Sequence, residues 1–231
     1  MWLDHHHISR NGIRIIEQEF TASAYIITDE ADNQITGFNP GAMKHASLFH
    51  IEPADPGNSI VIIAPSSLKD MRSYSETCRS TGIKFIFDPG QSIPMWDGKE
   101  LIEAISGAHI LISNDYELQM IMNLTELNKQ ELLARVDSII TTKGEDGSVI
   151  TTAGTEVSVS AVTAGQTPAD PTGAGDAYRG GLIKGLAAGK GIEESAALGT
   201  VCASFAIECK GTQTYTFTSE EFRVRLEKHF N

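Results

Sequence analysis

The chain has 231 residues, of which 41% are hydrophobic and 21% are charged, an ordinary composition for one large globular domain. Its 18 basic and 30 acidic residues give a formal net charge of -12, which argues against a nucleic-acid scaffold and requires any anionic substrate to be held locally. No apolar run approaches the ~20 residues of a membrane span and the start lacks the features of a signal peptide, so we expect a cytoplasmic protein without a membrane or nucleic-acid partner.

The first 40 residues predict a small β-rich appendage. Two β-rich runs, Ala22 to Thr28 and Gln34 to Phe38, lie on either side of the polar, acidic stretch 29–33. Runs of this kind around a polar turn are typical of a β-hairpin. We therefore expect two antiparallel strands ahead of the main body of the fold.

Beyond Pro40, apolar runs alternate with stretches of helical spacing. The apolar runs predict strands at 59–63, 83–87, 109–112 and 138–142, and helical spacing predicts helices at 68–79, at 101–105 and in two stretches before 138. Buried strands that alternate with helices indicate a parallel sheet covered on both faces, with ligands beyond the carboxyl ends of the strands. That edge would carry the turns after the four strands, namely Pro65-Ser66, Asp88 to Gly90, Ser113-Asn114 and Lys143-Gly144.

The last third of the chain predicts two further strands and two long helices. The runs 148–152 and 156–162 have the composition of strands, and helical patterns that begin near Gly175 and near Ile192 close the fold. No internal repeat or convincing domain linker interrupts these elements. The chain is therefore predicted to be α/β throughout, in one domain.

The stretch from Asp170 to Asp176 joins small residues to an acidic residue where an apolar helical pattern begins. It reads Asp-Pro-Thr-Gly-Ala-Gly-Asp, and Gly180-Gly181 follow within the helical pattern. The free N–H groups and the dipole of a helix start form an anion site, so a carboxylate there suggests a base beside a transferring phosphoryl group. A helix cap would explain an isolated Gly-Ala-Gly-Asp, whereas the longer pattern favours the functional interpretation.

Two shorter motifs follow predicted strands, and each also has a purely structural explanation. Asn114-Asp115-Tyr116-Glu117 predicts a helix start with a capping box. A carboxylate at a strand end can also hold Mg²⁺ through water. The stretch from Thr142 to Gly147 is sufficiently explained, by itself, as a glycine turn between two strands.

Taken together, these motifs resemble the ribokinase family, also called the PfkB carbohydrate kinase family. Asp170 to Ile183 is similar to the family's second signature, Asn114 to Glu117 to its N-x-x-E, and Thr142 to Gly147 to its T-K-G-x-x-G. Finer features resemble the adenosine-kinase-like branch, including the stretches 24–29, 38–43 and 211–215.

The resemblance implies a three-layer α/β/α fold with a mostly parallel central sheet and a small β lid. Residues 1–231 would form one ribokinase-like domain, and residues 12–40 would contribute to the lid. The lid would also be the surface through which a homodimer forms.

The resemblance also implies transfer of the ATP γ-phosphoryl group to a substrate hydroxymethyl, with Mg²⁺ and K⁺ as accompanying ions. The implied general base is Asp176, and the implied anion hole consists of the backbone N–H groups of Gly173, Ala174 and Gly175. The other implied roles are Mg²⁺ held through water by Asn114 and Glu117, a nucleotide site lined by Thr142 and Gly144 with Gly147 holding its turn, and a monovalent-cation site bordered by Asp170 and Thr172.

The match begins partway into a usual family member. The family's first strand, with an Asp that binds sugar hydroxyls, and its first signature with paired glycines would both precede Met1, so an N-terminally incomplete domain with an exposed sheet edge is expected. Three functions stay open from the sequence. They are a kinase of adenosine or a related nucleoside (phosphorylated at the 5′-hydroxyl), a non-catalytic nucleotide-binding remnant or interaction module, and a kinase of a sugar such as ribose or fructose.

Overall fold

The protein is described here from a computed structural model, which covers residues 2–28, 34–52 and 55–230. Near the N-terminus lies a two-stranded antiparallel sheet formed by β1 (Ser23–Thr28) and β2 (Gln34–Asn39). In its register Ser23 pairs with Asn39 and Thr28 pairs with Gln34. Both predicted hairpin strands are therefore present, while the predicted turn at 29–33 lies outside the described residues.

A six-stranded sheet forms the body of the fold, in the spatial order β3-β4-β5-β6-β7-β8. Its strands are β3 (Ile60–Ile63), β4 (Lys84–Phe87), β5 (Ile110–Asn114), β6 (Ser138–Thr142), β7 (Ser148–Thr152) and β8 (Thr155–Val159). Strands β3 to β6 are parallel, and β7 and β8 are antiparallel to their neighbours. The predicted mostly parallel sheet is confirmed, and the four predicted turns follow β3, β4, β5 and β6 at one edge.

Helices connect these strands and complete the chain. They are α1 (Trp2–His5), α2 (Leu68–Thr81), α3 (Gly98–Ile105), α4 (Asp115–Thr125), α5 (Lys129–Leu133), α6 (Ala174–Ala187), α7 (Ile192–Ala206) and α8 (Ser219–Phe230). None of the helices among the described residues is long and apolar enough to cross a membrane.

Helix α8 corrects the expectation that two long helices close the fold. It carries no fully buried residue, so its apolar positions gave no continuous stripe in the sequence. Its start is nevertheless capped, because Thr218 Oγ1 accepts the N–H of Glu221 at 3.1 Å and Glu221 Oε2 accepts the N–H of Thr218 at 2.7 Å. This Thr-x-x-Glu capping box was the signal that could have predicted the helix.

The core lies on both faces of the six-stranded sheet, which gives three layers. Along β5, Leu111 packs in the cluster under α2 to α5, whereas Ile110 and Ile112 pack in the cluster under α6 and α7. All three side chains are fully buried. Strands that are buried on both faces have continuous apolar sequences, so this part of the sheet could be predicted from the sequence.

Strand β3 forms one edge of the sheet. Within the described residues it pairs only with β4, and its Ile60, Val61 and Ile62 are half-buried although the strand is wholly apolar. Among the described residues β3 is therefore an edge strand.

Helices α6 and α7 approach each other until their backbones touch. A Cβ added at Gly181 would lie 2.5 Å from the carbonyl oxygen of Leu198, and one added at Gly199 would lie 2.8 Å from the carbonyl oxygen of Tyr178. Real Cβ atoms do not come so close to backbone, so this packing requires glycine at both positions. Gly181 therefore sets the distance between the two helices.

Candidate functional site

The N-terminus of α6 begins in a conformation that requires glycine. Gly173 precedes the helix with φ 86°, and a Cβ there would also lie 3.2 Å from Thr212. No side chain caps this helix start. Open backbone at a helix N-terminus, with the positive end of its dipole, is the physical basis of an anion site.

The backbone N–H groups of this loop are not equivalent. Ala174 donates its N–H to the carbonyl of Pro171 at 3.1 Å, which closes the turn before the helix. Among the described residues, no backbone acceptor faces the N–H groups of Gly175 and Asp176. The N–H of Gly173 also meets no acceptor within the described chain, so the donors left for an anion are those of Gly173, Gly175 and Asp176, while the predicted N–H of Ala174 is taken by Pro171.

Asp176 lies in the first turn of α6 with an exposed side chain. Its carboxylate is close enough to the turn after β4 for its charge to raise the pKa of Asp88, and the charge of Glu117 acts on Asp88 in the same direction. The predicted base thus lies at the carboxyl edge of the sheet, near the ends of β4 and β5.

A buried ion pair joins this edge to α6. Arg179 Nε contacts Asp88 Oδ2, and the two side chains are only 13% and 6% exposed. Burial raises the pKa of Asp88, and the guanidinium of Arg179 partly opposes that shift. From the sequence, Asp88 is predicted only as a turn residue, and no role is predicted for Arg179.

The same guanidinium also reaches the anion-site backbone. A Cβ added at Gly175 would lie 2.8 Å from Arg179 Nη1, so the arginine lies directly against Gly175. Asp88 therefore holds a cation beside the start of α6.

Asn114 and Glu117 form the predicted capping box at the start of α4. Asn114 Oδ1 accepts the N–H of Glu117 at 2.7 Å, and Glu117 Oε2 accepts the N–H of Asn114 at 2.9 Å. No three His, Cys, Asp or Glu side chains in the described ranges are grouped as metal ligands. This donor set fits Mg²⁺ retained through water and phosphate oxygens, and it does not form an all-protein cage.

The turn from Thr142 to Gly147 is held by the N–H of Lys143, which donates to the carbonyl of Gly147 at 2.8 Å. Gly147 has φ 86°, and a Cβ there would lie 2.1 Å from the carbonyl oxygen of Val159. Gly144 has φ 56° with open space around it. The two glycines therefore serve different purposes, since one allows close packing on β8 and the other leaves the turn open.

A cleft of about 460 Å³ lies between this turn and the start of α6. It brings together several predicted site residues, namely Thr142, Gly144, Gly147, Ala174 and Gly175. The rest of its lining was not predicted and comes from the loop after β8 and from α6 and α7, namely Ala161, Val162, Thr163, Ala164, Pro168, Pro171, Tyr178, Thr200, Ala203, Ser204 and Ile207, together with Glu145 in the turn. The mostly apolar wall beside an anion site suits a flat heterocycle that carries phosphates.

Asp170 and Thr172 lie outside this cleft. Asp170 Oδ1 accepts the N–H of Thr172 at 2.9 Å, and Oδ2 accepts the N–H of Gly211 at 3.0 Å. Hydrogen bonds from the Thr172 side chain and backbone, and then from Gly211, lower the pKa of Asp170, so its carboxylate stays charged. It can therefore face a cation, and it also fastens the loop before α6 to the segment after α7.

The sequence of the chain was compared with models of known protein families. The model of the PfkB family of carbohydrate kinases matches residues 1–218. The chain belongs to this family. The match confirms the resemblance drawn from the three motifs, and PfkB kinases include the relatives described next.

Two nucleoside kinases are similar to this PfkB chain in sequence and structure. The nucleoside kinase of Methanocaldococcus jannaschii is 36% identical over 213 residues, which are 92% of this chain and 69% of that protein. Its crystal structure superposes with a TM-score of 0.88 and covers 99% of this chain and 75% of its own. The nucleoside kinase of Burkholderia thailandensis in complex with inosine is 33% identical, with a TM-score of 0.89 and coverage of 99% and 74%.

A sugar kinase is also similar, at lower identity. The ribokinase of Bacillus subtilis is 25% identical over 215 residues, which are 89% of this chain and 70% of that protein.

The Burkholderia thailandensis enzyme is also known in complex with ADP-inosine, again with a TM-score of 0.89, 33% identity and coverage of 99% of this chain and 71% of its own. These relatives confirm the predicted fold and the predicted kinase class.

Proposed function

We propose that this PfkB chain transfers the γ-phosphoryl group of ATP to the 5′-hydroxyl of a purine nucleoside such as adenosine or inosine. The observation that carries the proposal is the single cleft shared by the two-glycine turn and the start of α6. The nucleoside is supported by the relatives, of which one is solved with inosine and with ADP-inosine. Adenosine follows from the branch features of the sequence.

The roles of this chain's residues follow from their positions. The substrate hydroxyl attacks the γ-phosphorus, its proton passes to the exposed carboxylate of Asp176, and the bond from phosphorus to the ADP oxygen breaks. The N–H groups of Gly173, Gly175 and Asp176 donate to the charge that develops on the phosphoryl oxygens, and the N–H of Ala174 closes the turn before the helix. Thr142, Gly144 and Gly147 line the nucleotide end of the cleft.

The accompanying ions are also proposals. Asn114 and Glu117 would hold Mg²⁺ through water, and this ion would neutralise phosphate charge that the acidic protein cannot balance with a basic face. Asp170 and Thr172 would border a K⁺ site beside the α6 loop, because the Asp170 carboxylate stays charged there. Titration of Mg²⁺ and of K⁺ in a turnover assay tests both, and indifference to either ion rejects that assignment.

The two-stranded sheet supports the proposed lid and homodimer. Tyr25 and Ile27 lie on one of its faces and are 68% and 72% exposed, whereas Phe38 lies on the other and is also exposed. Apolar side chains left uncovered on a small sheet favour burial against a second copy. Sedimentation of the wild type and of Ile27→Asp tests this, because a monomeric wild type contradicts it.

The test of the function is a phosphorylation assay combined with calorimetry on the 231-residue chain. We expect MgATP binding and nucleoside-dependent ADP release with adenosine or inosine, and weaker turnover with ribose or fructose. The opposite substrate order would favour the sugar kinase, which the Bacillus subtilis ribokinase supports. Binding without product would favour a nucleotide-binding module, and absence of binding would reject the proposal.

A further inference from the structure

The loop between β8 and α6 covers part of the nucleotide cleft and has little structure of its own. We call residues 161–168 the cleft loop, since five of them line the cleft, namely Ala161, Val162, Thr163, Ala164 and Pro168. From this loop, one hydrogen bond reaches another part of the described chain, donated by the N–H of Gly165 to Glu208 Oε1 at 2.5 Å. Val162 of this loop is also buried against Val201 and Phe205 on α7, so Glu208 supplies the polar anchor of its middle part.

Glu208 is held in turn by a buried arginine on α8. Arg225 Nη1 lies 2.8 Å from Glu208 Oε1, and the two side chains are 16% and 8% exposed. The guanidinium also lies against the loop, because a Cβ added at Gly165 would be 3.0 Å from Arg225 Nη2. One carboxylate oxygen thus receives both the loop N–H and the guanidinium.

Two further contacts fix the guanidinium of Arg225 near the cleft. Its Nη1 donates to Ser204 Oγ at 3.0 Å, and Ser204 itself lines the cleft. Its Cζ lies 3.5 Å from the centroid of the Phe205 ring, in the geometry of a cation–π contact. The arginine is therefore fixed between α7, Glu208 and the cleft loop.

Aromatic packing anchors the segment that carries Arg225. Phe217 stacks on Phe205 with ring centroids 4.6 Å apart, and Phe222 lies 5.6 Å from Phe217. On the exposed face of the same helix, Arg223 pairs with Glu220 and Glu227 and touches no part of the cleft loop. Arg223 and Arg225 thus offer a matched pair, one of which reaches the loop.

We propose that Glu208 and Arg225 are positioning residues that hold the cleft loop over the nucleotide, so that α8 sets the affinity of the cleft for ATP and ADP. This inference rests on the proposed function, because it assumes that the cleft binds a nucleotide. A loop that becomes ordered only on binding lowers the affinity for the ligand, because ordering the loop costs conformational entropy. A contact that orders the loop before binding removes that cost and so raises the affinity. Neither residue touches the reacting groups, so the effect falls on nucleotide binding and not on the chemical step.

The test compares Arg225→Gln and Glu208→Gln with Arg223→Gln in the full 231-residue chain. Calorimetry with MgADP measures the Kd, and hydrogen exchange measures the protection of the peptide that contains residues 161–168. For Arg225→Gln we expect the Kd to rise about tenfold, or about 1.4 kcal/mol, and exchange in the cleft loop to quicken. Glu208→Gln should raise the Kd about threefold, because its amide oxygen still accepts the Gly165 N–H while its charge is lost.

The control Arg223→Gln should leave both the Kd and the exchange of the cleft loop at the wild-type level. Where turnover is measured, KM for ATP should rise in Arg225→Gln while kcat changes less than about twofold. Arg225→Lys should recover part of the affinity, since it restores the charge with fewer donors.

The inference is overturned if Arg225→Gln and Glu208→Gln retain wild-type Kd and wild-type loop exchange, even when both lose thermal stability. If Arg225→Gln does not fold, Glu208→Gln and Arg225→Lys decide by the same two measurements. If the wild type binds no nucleotide, the proposed function and the effect on affinity fall together, and the exchange data still show whether Arg225 orders the loop.

Discussion

The candidate nucleotide cleft has one wall made of backbone and another made of side chains. At the start of α6, Gly173, Gly175 and Asp176 present N–H groups in a loop whose shape requires glycine at position 173. Beside α7, the cleft loop contacts Glu208 and Arg225, which are 17 residues apart, and aromatic rings anchor the segment that carries Arg225. The residues of the first wall are neighbours in the sequence, whereas the residues of the second wall are brought together only when the chain folds.

This difference predicts which kind of substitution disrupts each wall. Backbone geometry is lost when an atom is added, because there is no room for it. A side-chain arrangement is lost when an atom is removed, because a buried charge then remains without its partner. The following five predictions, from four variants, test this contrast in order of decreasing expected effect.

Asp176→Asn tests whether the acidic residue on the backbone wall carries chemistry. We expect turnover to fall by roughly 10²–10⁴ with little change in the Kd for MgATP, because a general base is lost while the N–H donors remain. The measurement is nucleoside-dependent ADP release alongside calorimetry. Glu193→Gln is the control, since it removes a carboxylate from the first turn of α7, away from the cleft. Turnover retained in Asp176→Asn would exclude the base assignment.

Arg179→Met tests the buried ion pair that connects β4 with α6. It leaves the carboxylate of Asp88 buried without its cation, which typically costs about 3–5 kcal/mol of unfolding free energy. Adding Asp88→Asn should recover part of that loss. Denaturant unfolding of both variants checks this, and equal stability of the wild type and Arg179→Met would mean that the pair is not buried as described.

The same variant makes a pH prediction. Burial raises the pKa of Asp88 above 3.8, so the folded protein binds this proton more tightly than the unfolded chain does. This carboxyl therefore contributes stability that is present below pH 3.8 and is lost as the pH rises through the raised pKa. Arg179 limits the loss, and so Arg179→Met should be destabilised more at about pH 7 than at about pH 4. A pH-independent difference from the wild type would contradict this.

Gly147→Ala tests the backbone side of the cleft by addition of one carbon. Strain at positive φ and overlap with the carbonyl of Val159 should lower the unfolding free energy by about 2–4 kcal/mol. Gly154→Ala is the matched control, because Gly154 has φ 88° and nothing within 4 Å of an added Cβ. Its cost should be about 1 kcal/mol, from backbone strain alone. Equal losses in the two variants would show that the close packing on β8 is unimportant.

Asn114→Ala should have the smallest effect on stability, and the chain contains its own control. Asn128 and Glu131 form a second capping box at the start of α5, with the same Asn-x-x-Glu sequence. Each Asn→Ala variant should lose about 1 kcal/mol of unfolding free energy. Only Asn114→Ala should also raise the Mg²⁺ concentration required for turnover, and an identical shift in Asn128→Ala would make Asn114 a cap and nothing more.

The sequence predicted those parts of the fold whose signal is local. The apolar runs of β4, β5 and β6 are buried on both faces, so no partner residue is needed to recognise them. The strand predicted at 156–162 ends at Val159, because the chain turns away there into the cleft loop. Helix α8 was missed because its apolar residues pack against Val162, Val201 and Phe205 without being fully buried, so they form no continuous stripe in the sequence.

The candidate site likewise contains residues that the local sequence marks and residues that only the folded structure brings together. Gly173, Gly175 and Gly147 could be singled out from the sequence because glycine at a turn is informative on its own. Arg179 and Asp88 are 91 positions apart, and nothing local marks either as half of an ion pair. That the N–H of Ala174 is taken by Pro171 and is not available to an anion depends on one hydrogen bond, which only a folded turn can determine.

The contact of Gly181 with Leu198 restricts the movement of α6, the helix that carries the backbone wall. Two helices in direct main-chain contact have no intervening side chains whose rotamers could change, so α6 can neither roll on α7 nor slide along it without a clash. We therefore expect the N–H donors at the head of α6 to keep their positions with or without a ligand, and any adjustment to occur in the loops. Atomic displacement in a crystal should accordingly be lower at Gly175 than at Gly165, whether or not nucleotide is bound.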